Sequence, residues 1–143
     1  MSTSTDAILF YGFCWTDEGR LPWQKDDEDG DAEEDPDDGE WESRFARLGG
    51  LTGTWQDHGY YEHRKAIVET ATCEVIRHCH ADCAMYGVGA NGSITRASRG
   101  NPEAAPVHET SPEWDGQLRA YCALMGIETR DQQPRWWLVS DWS

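Results

Sequence analysis

The sequence predicts an α+β domain: a sheet of about five mostly antiparallel strands with two or three helices packed on it. Apolar residues recur at strand-like spacing in some segments and at helix-like spacing in others. An Asn-Gly pair stands between two alternating apolar arms, and eight Trp among 38% hydrophobic residues are enough to fill one core. A chain of 143 residues has the length of one domain. We therefore read residues 1–143 as a single domain, with 24–40 a disordered acidic loop inserted into it.

The run "AILFYGFCW" (Ala7 to Trp15) is continuously apolar and predicts a buried central strand. In "EWESRFARL", Trp41, Phe45 and Leu48 fall at helical spacing, and Gly49-Gly50 ends the helix. "YYEHRKAIVETA" places Tyr60, Ile67 and Val68 along a short amphipathic helix that Thr70 and Thr72 weaken. "CEVIRHC" is β-branched and alternating, hence a strand. In "AMYGVGANGSITRAS", Asn91-Gly92 has the composition of a two-residue hairpin turn, which requires positive φ at both positions. A Pro- and Gly-rich loop follows. "SPEWDGQLRAYCALMGI" then offers Ser111 as N-cap, Pro112 at the first helical position and acidic residues in the first turn. Trp114, Leu118, Tyr121, Cys122 and Met125 lie on one face, and Gly126 is the stop. "PRWWLVSDW" is the last strand. Trp136, Leu138 and Trp142 share one face and Trp137 and Val139 the other, one set core and the other half exposed.

Charge is concentrated in one place. From Asp26 to Glu40 there are eleven carboxylates in fifteen residues: Asp26, Asp27, Glu28, Asp29, Asp31, Glu33, Glu34, Asp35, Asp37, Asp38 and Glu40. No Lys or Arg interrupts them. The formal net charge is −15, but outside the run sixteen acidic residues face twelve Lys and Arg, leaving the body about −4. A run with Gly30, Pro36, Gly39 and almost nothing apolar cannot bury enough surface to offset the entropy of ordering. A calcium loop would need an acidic residue five positions before its glycine. Lys25 stands there for Gly30, and Pro36 takes the third ligand position for Gly39, so the spacing fails twice. Direct binding to nucleic acid or to an anionic membrane is disfavoured for want of a basic patch. No apolar stretch is long enough to cross a membrane. The N-terminus lacks the basic region and cleavage site of a secretory signal, and five cysteines read as reduced thiols of a cytoplasm.

"CEVIRHCHADC" gathers Cys73, His78, Cys79, His80 and Cys83. Zinc takes four N or S ligands, usually as two close pairs. Cys79 and Cys83 could supply one pair, with His78, His80, His108 or Cys122 completing a set. On a strand, however, His78 and His80 point away from Cys79, and no CxxC occurs. We expect small buried thiols and no resident cofactor, with a zinc-stabilised module as the alternative. An enzyme would have to gather groups such as Cys14, His58, His78 or Asp82, and no spacing supports that. Exposed aromatics beside carboxylates, Trp41 next to Glu40 and Glu42 and Trp142 next to Asp141, have the character of interface anchors.

"ILFYGFCW", "SITRASRGNP" and "WWLVSDWS" resemble small uncharacterised proteins of phages and other bacterial mobile elements. Those proteins share a Y-G-F/Y-C-W start and a W-(W/Y)-L-x-S-x-W ending. The resemblance covers most of the body but not residues 26–40, and it hands over no catalytic residue. It implies a phage or mobile-element origin, and hence a place in a bacterial cytoplasm. The reading that follows is a non-enzymatic protein that binds a basic host protein or nucleoprotein complex. It would act as an anti-CRISPR-like inhibitor that mimics nucleic acid, with the acidic run, Trp41 and Trp142 as contacts.

Overall fold

The computed structural model describes residues 5–17, 19–24, 40–80, 82–105 and 109–142. The expected disordered loop at 24–40 lies, apart from Gln24 and Glu40, outside the described residues. The elements run β1 (Thr5–Cys14), α1 (Trp41–Leu48), α2 (Tyr60–Val68), β2 (Cys73–His80), β3 (Cys83–Ala90), β4 (Thr95–Ser98), α3 (Trp114–Met125) and β5 (Arg135–Trp142). The architecture is α+β, with five strands, mostly antiparallel, and three helices.

β1 organises the sheet. Along one side it pairs with β5 from Thr5↔Trp142 to Gly12↔Arg135. Along the other it pairs first with β4, Asp6↔Ser98 to Leu9↔Thr95, and then with β3, Gly12↔Gly89 to Cys14↔Gly87. β2 and β3 form a hairpin, and the last residues of β2 lie parallel to the end of β5. The pairings therefore close on themselves in the order β2, β3, β1, β5, β2.

The Asn-Gly expectation requires correction. β3 and β4 do not form a hairpin with each other; both run antiparallel to β1, one after the other. Of the two turn residues only Gly92 has positive φ, at 87°, so the two-residue hairpin geometry is not formed. The chain instead makes a short excursion and resumes its direction. Ser93, fully buried, accepts the Tyr11 N–H at 3.1 Å and donates to the Ala90 carbonyl at 2.6 Å, while Asn91 Nδ2 donates to the Ala71 carbonyl at 2.7 Å. Turn composition fixes a local bend but not whether the strand reverses.

Where β1 crosses β3 the backbones touch. A Cβ on Gly12 would sit 1.9 Å from the Val88 carbonyl oxygen, so only glycine permits this approach. Even-numbered β1 residues Ile8, Phe10 and Cys14 cluster with Ile76 of β2, against Trp137 and Val139 of β5, inside the closed ring. Odd-numbered Phe13, with Trp15 just beyond the strand, packs instead under α1 and α3, with Phe45, Leu118, Tyr121, Cys122 and Met125. A third cluster, Ala46, Leu51 and Tyr60, joins α1 to α2. Burying a large side chain in such clusters contributes about 1.5–3 kcal/mol each.

The helices follow expectation with two departures. Leu48 is exposed, and α1 buries Ser43, Phe45 and Ala46 instead. α3 begins at Trp114, because Ser111 Oγ accepts the Glu113 N–H at 3.4 Å and holds a turn ahead of the helix. Gly126 ends it in the left-handed conformation, at φ 74°.

Candidate functional site

Of the residues expected to contact a partner, Asp26, Asp27, Glu28, Asp29, Asp31, Glu33, Glu34, Asp35, Asp37 and Asp38 lie outside the described residues. The last residue of that run, Glu40, and residues 19–24 ahead of it are described. On the N-terminal side the Gln24 carbonyl accepts from Arg20 Nη2 at 2.9 Å, and the Arg44 guanidinium stands 5.4 Å from the Trp23 ring centroid. On the C-terminal side, exposed Glu40 pairs with Arg64 at 3.3 Å. Trp41 is half-buried, edge-on to Phe45 and Tyr121. Trp23, Glu40, Trp41, Glu42 and Asp141 line one shared depression. Trp23, ahead of the acidic segment, and Glu40, its last residue, thus lie on one face of the body, close to α1.

Trp142 is 45% exposed and its ring lies 4.4 Å from that of His80, centroid to centroid. Leu138 on the same face of β5 is 72% exposed. Trp55 and Tyr61 are also largely exposed.

The four zinc candidates do not converge. Among the described residues there is no group of three or more His, Cys, Asp or Glu that could hold a metal ion. His78 turns into the ring while His80 packs at a tilt against Trp142 and accepts the Asp82 N–H at 3.0 Å. Cys79 carries φ 73°, which breaks strand alternation at that point, and Cys83 is exposed at the hairpin tip.

The structure does bring together two of the groups weighed for catalysis. Cys14 Sγ and His78 Nε2 lie 3.4 Å apart, both buried. Burial pushes the Cys14 thiol up to about 11, with a backbone hydrogen bond at Trp15 offsetting a little. Burial lowers His78 against the opposing influences of Asp141 and the Tyr86 and Trp15 carbonyls. At neutral pH the pair is a thiol beside a neutral imidazole, not a thiolate nucleophile. His58 and Asp82 are exposed and take no part.

Gln132 holds this unit in place. Its Oε1 accepts the Cys14 N–H at 3.3 Å and its Nε2 donates to the Cys14 carbonyl at 2.9 Å, imitating a missing strand partner. To reach it, the chain passes through Arg130 and Asp131, both with positive φ (53° and 63°), a conformation costly for side-chain-bearing residues. Beside this turn lies a cavity of about 230 Å³ lined by Trp15, Trp23, Tyr86, Asp17, Arg20 and Arg130, among others. No spacing in the sequence points to Gln132, Tyr86 or Arg130, which meet Cys14 and Trp15 only through the fold.

Compared with known proteins, the chain matches no family model, no curated protein and no solved structure. Among the described residues no helix is long and apolar enough to cross a membrane.

Proposed function

We propose that the protein binds the cationic, nucleic-acid-binding surface of a host protein or nucleoprotein complex and inhibits it by charge mimicry. One observation carries this reading: eleven carboxylates in fifteen residues, with no Lys or Arg among them, in a segment whose flanking Trp23 and last residue Glu40 line one depression of an otherwise near-balanced body. A surface built to attract phosphate attracts a dense row of carboxylates by the same field. A segment joined to the body at Gln24 and at Glu40 keeps its charge near the body and loses less entropy on capture than a free tail. The likeness to phage proteins supports a bacterial defence complex as the class of target. Exposed Trp142 and Leu138 offer apolar contact beyond the electrostatic encounter.

The test is competition. A purified cationic nucleic-acid-binding effector complex is immobilised, and the chain and a short DNA duplex are injected separately and together. The reading expects mutual exclusion, and expects it to disappear when the acidic residues of the run are changed to Asn and Gln. Simultaneous binding of chain and duplex would contradict it.

A further inference from the structure

We infer that the ring is a pH-sensitive device: protonation of His78, buried beside the join between β2 and β5, opens that join and uncovers the Cys14 thiol. This goes beyond partner capture and does not depend on it.

The join is where the ring is held least. β1 pairs with β5 from Thr5↔Trp142 to Gly12↔Arg135, and β2 with β3 from Cys73↔Ala90 to His80↔Cys83. Among the described residues, β2 and β5 meet only at Cys79↔Asp141 and His80↔Trp142. Two parallel residue pairs supply few hydrogen bonds. Cys79 enters that pairing at φ 73°, a conformation costly for a residue with a side chain. Sparse bonding and strain together mark a segment that opens before the rest of a fold. His78 is the adjoining residue of β2. It points into the ring, is 5% exposed, and its Nε2 lies 3.4 Å from Cys14 Sγ. The join and the Cys14–His78 contact thus form one unit. Moving His78 toward water displaces Cys79 and leaves Cys14 uncovered.

The groups around His78 decide what a proton does there. β1 contributes Cys14, an uncharged thiol at neutral pH and below. β5 contributes the charge of Asp141, which stands in the join itself. β3 contributes Met85, an uncharged cross-strand neighbour, and backbone hydrogen bonds reach His78 at Tyr86 and Trp15. Arg77 and Tyr86, paired with each other one step along the hairpin, belong to its other face. His80 is engaged with Trp142 and Asp82. Burial outweighs Asp141 and the backbone bonds, so His78 binds a proton less readily than a solvated imidazole. The closed ring therefore carries His78 neutral. The opened ring, with its imidazole in water, takes up a proton as pH falls through about 6.5. The join is firmest at neutral pH and weakens toward acid, the open population rising by up to about tenfold for each pH unit below that value. Once released, the imidazolium meets the Asp141 carboxylate at the parted join.

The experiment follows the reaction of the full chain with dipyridyl disulfide at about pH 7.5 and about pH 5, on either side of the histidine range. Each exchange leaves a mixed disulfide on one cysteine and releases a pyridine thiol, and peptide mass spectrometry reads the rate cysteine by cysteine. Exposed Cys83 calibrates the reagent at each pH. The ratio of the Cys14 rate to the Cys83 rate should rise about tenfold or more at the lower pH. Cys73 and Cys122, buried under the helices, should stay protected. His78→Gln, which keeps a polar side chain that does not titrate, should abolish the rise, and His80→Gln should preserve it. The native chain and His80→Gln keep the test decisive if His78→Gln fails to fold. An unchanged ratio in the native chain, or a rise lost in His80→Gln, would overturn the inference, as would a rise that persists in folded His78→Gln. Labelling of Cys73 and Cys122 in step with Cys14 would overturn it too, because the whole domain and not one join would then be opening.

Discussion

β1 has two halves that share one face and meet different fates. Tyr11 and Phe13, in the second half, lie under the helices: Tyr11 rests on Trp114 and Trp136, and Phe13 is fully buried beneath α3. Thr5 and Ala7, in the first half, are exposed on the same side, opposite Trp142 and Ser140 of β5, and Leu9 faces exposed Leu138. The helical layer stops at the level of Trp114. On this face the covered half supplies core under the helices and the bare half supplies exposed surface, while on the opposite face Ile8, Phe10 and Cys14 are buried inside the ring. One strand can thus be structural at one end and available at the other, and alternation along it does not tell which.

The largest effect that sharpens this contrast is at Phe13. Phe13→Ala should cost about 3–5 kcal/mol of unfolding free energy, measured by denaturant titration, because it empties a close-packed position. Next comes Gln132→Ala, which leaves the Cys14 N–H and carbonyl without their partner. A loss of about 1–3 kcal/mol is expected, and a negligible loss would mean that water or backbone replaces the side chain.

A smaller effect is carried by pH. In the unfolded chain the thiols ionise near 9.0, whereas burial raises Cys14 and Cys73 to about 11 and Cys122 to about 12. Between those values the native state binds more protons than the unfolded state. Stability is therefore full below pH 9 and falls as pH rises through the window, which urea midpoints on either side should register. Cys122→Ala should flatten that decline in part. The smallest effect belongs to the bare half: Leu138→Ala should change stability by less than about 0.5 kcal/mol. A loss comparable to that of Phe13→Ala would show that the two halves are not different after all.

Much of this was readable from local pattern. The strand at Ala7–Trp15, the buried stripe Leu118, Tyr121, Cys122 and Met125, and the split of β5 into an inner Trp137/Val139 face and an outer Leu138/Trp142 face all follow from spacing and apolarity. What pattern could not provide was partnership. Asn91-Gly92 marks a bend correctly, but the reversal inferred from it depended on what β4 would pair with, and β1 was the stronger template. Leu48 completes a helical stripe in sequence, yet only packing decides that Ala46 takes the inner position. Cys14 and His78 stand 64 residues apart and meet because the strands close into a ring, which no spacing rule anticipates. One usable signal was overlooked: Gly12, Gly87 and Gly89 inside apolar strands indicate close backbone approach, and that is where β1 crosses β3.

The most direct measurement of the central claim is the association rate constant for a cationic nucleic-acid-binding complex, followed by stopped flow as salt is raised. Two chains would be compared, the native one and one whose run from Asp26 to Glu40 carries Asn and Gln in place of its carboxylates. The account predicts that the native chain associates at least about tenfold faster at low salt, and that the two rates converge as the screening length shortens to about 3 Å near 1 M. Equal rates at low salt, with both chains folded, would contradict it and leave the aromatic body as the sole means of contact.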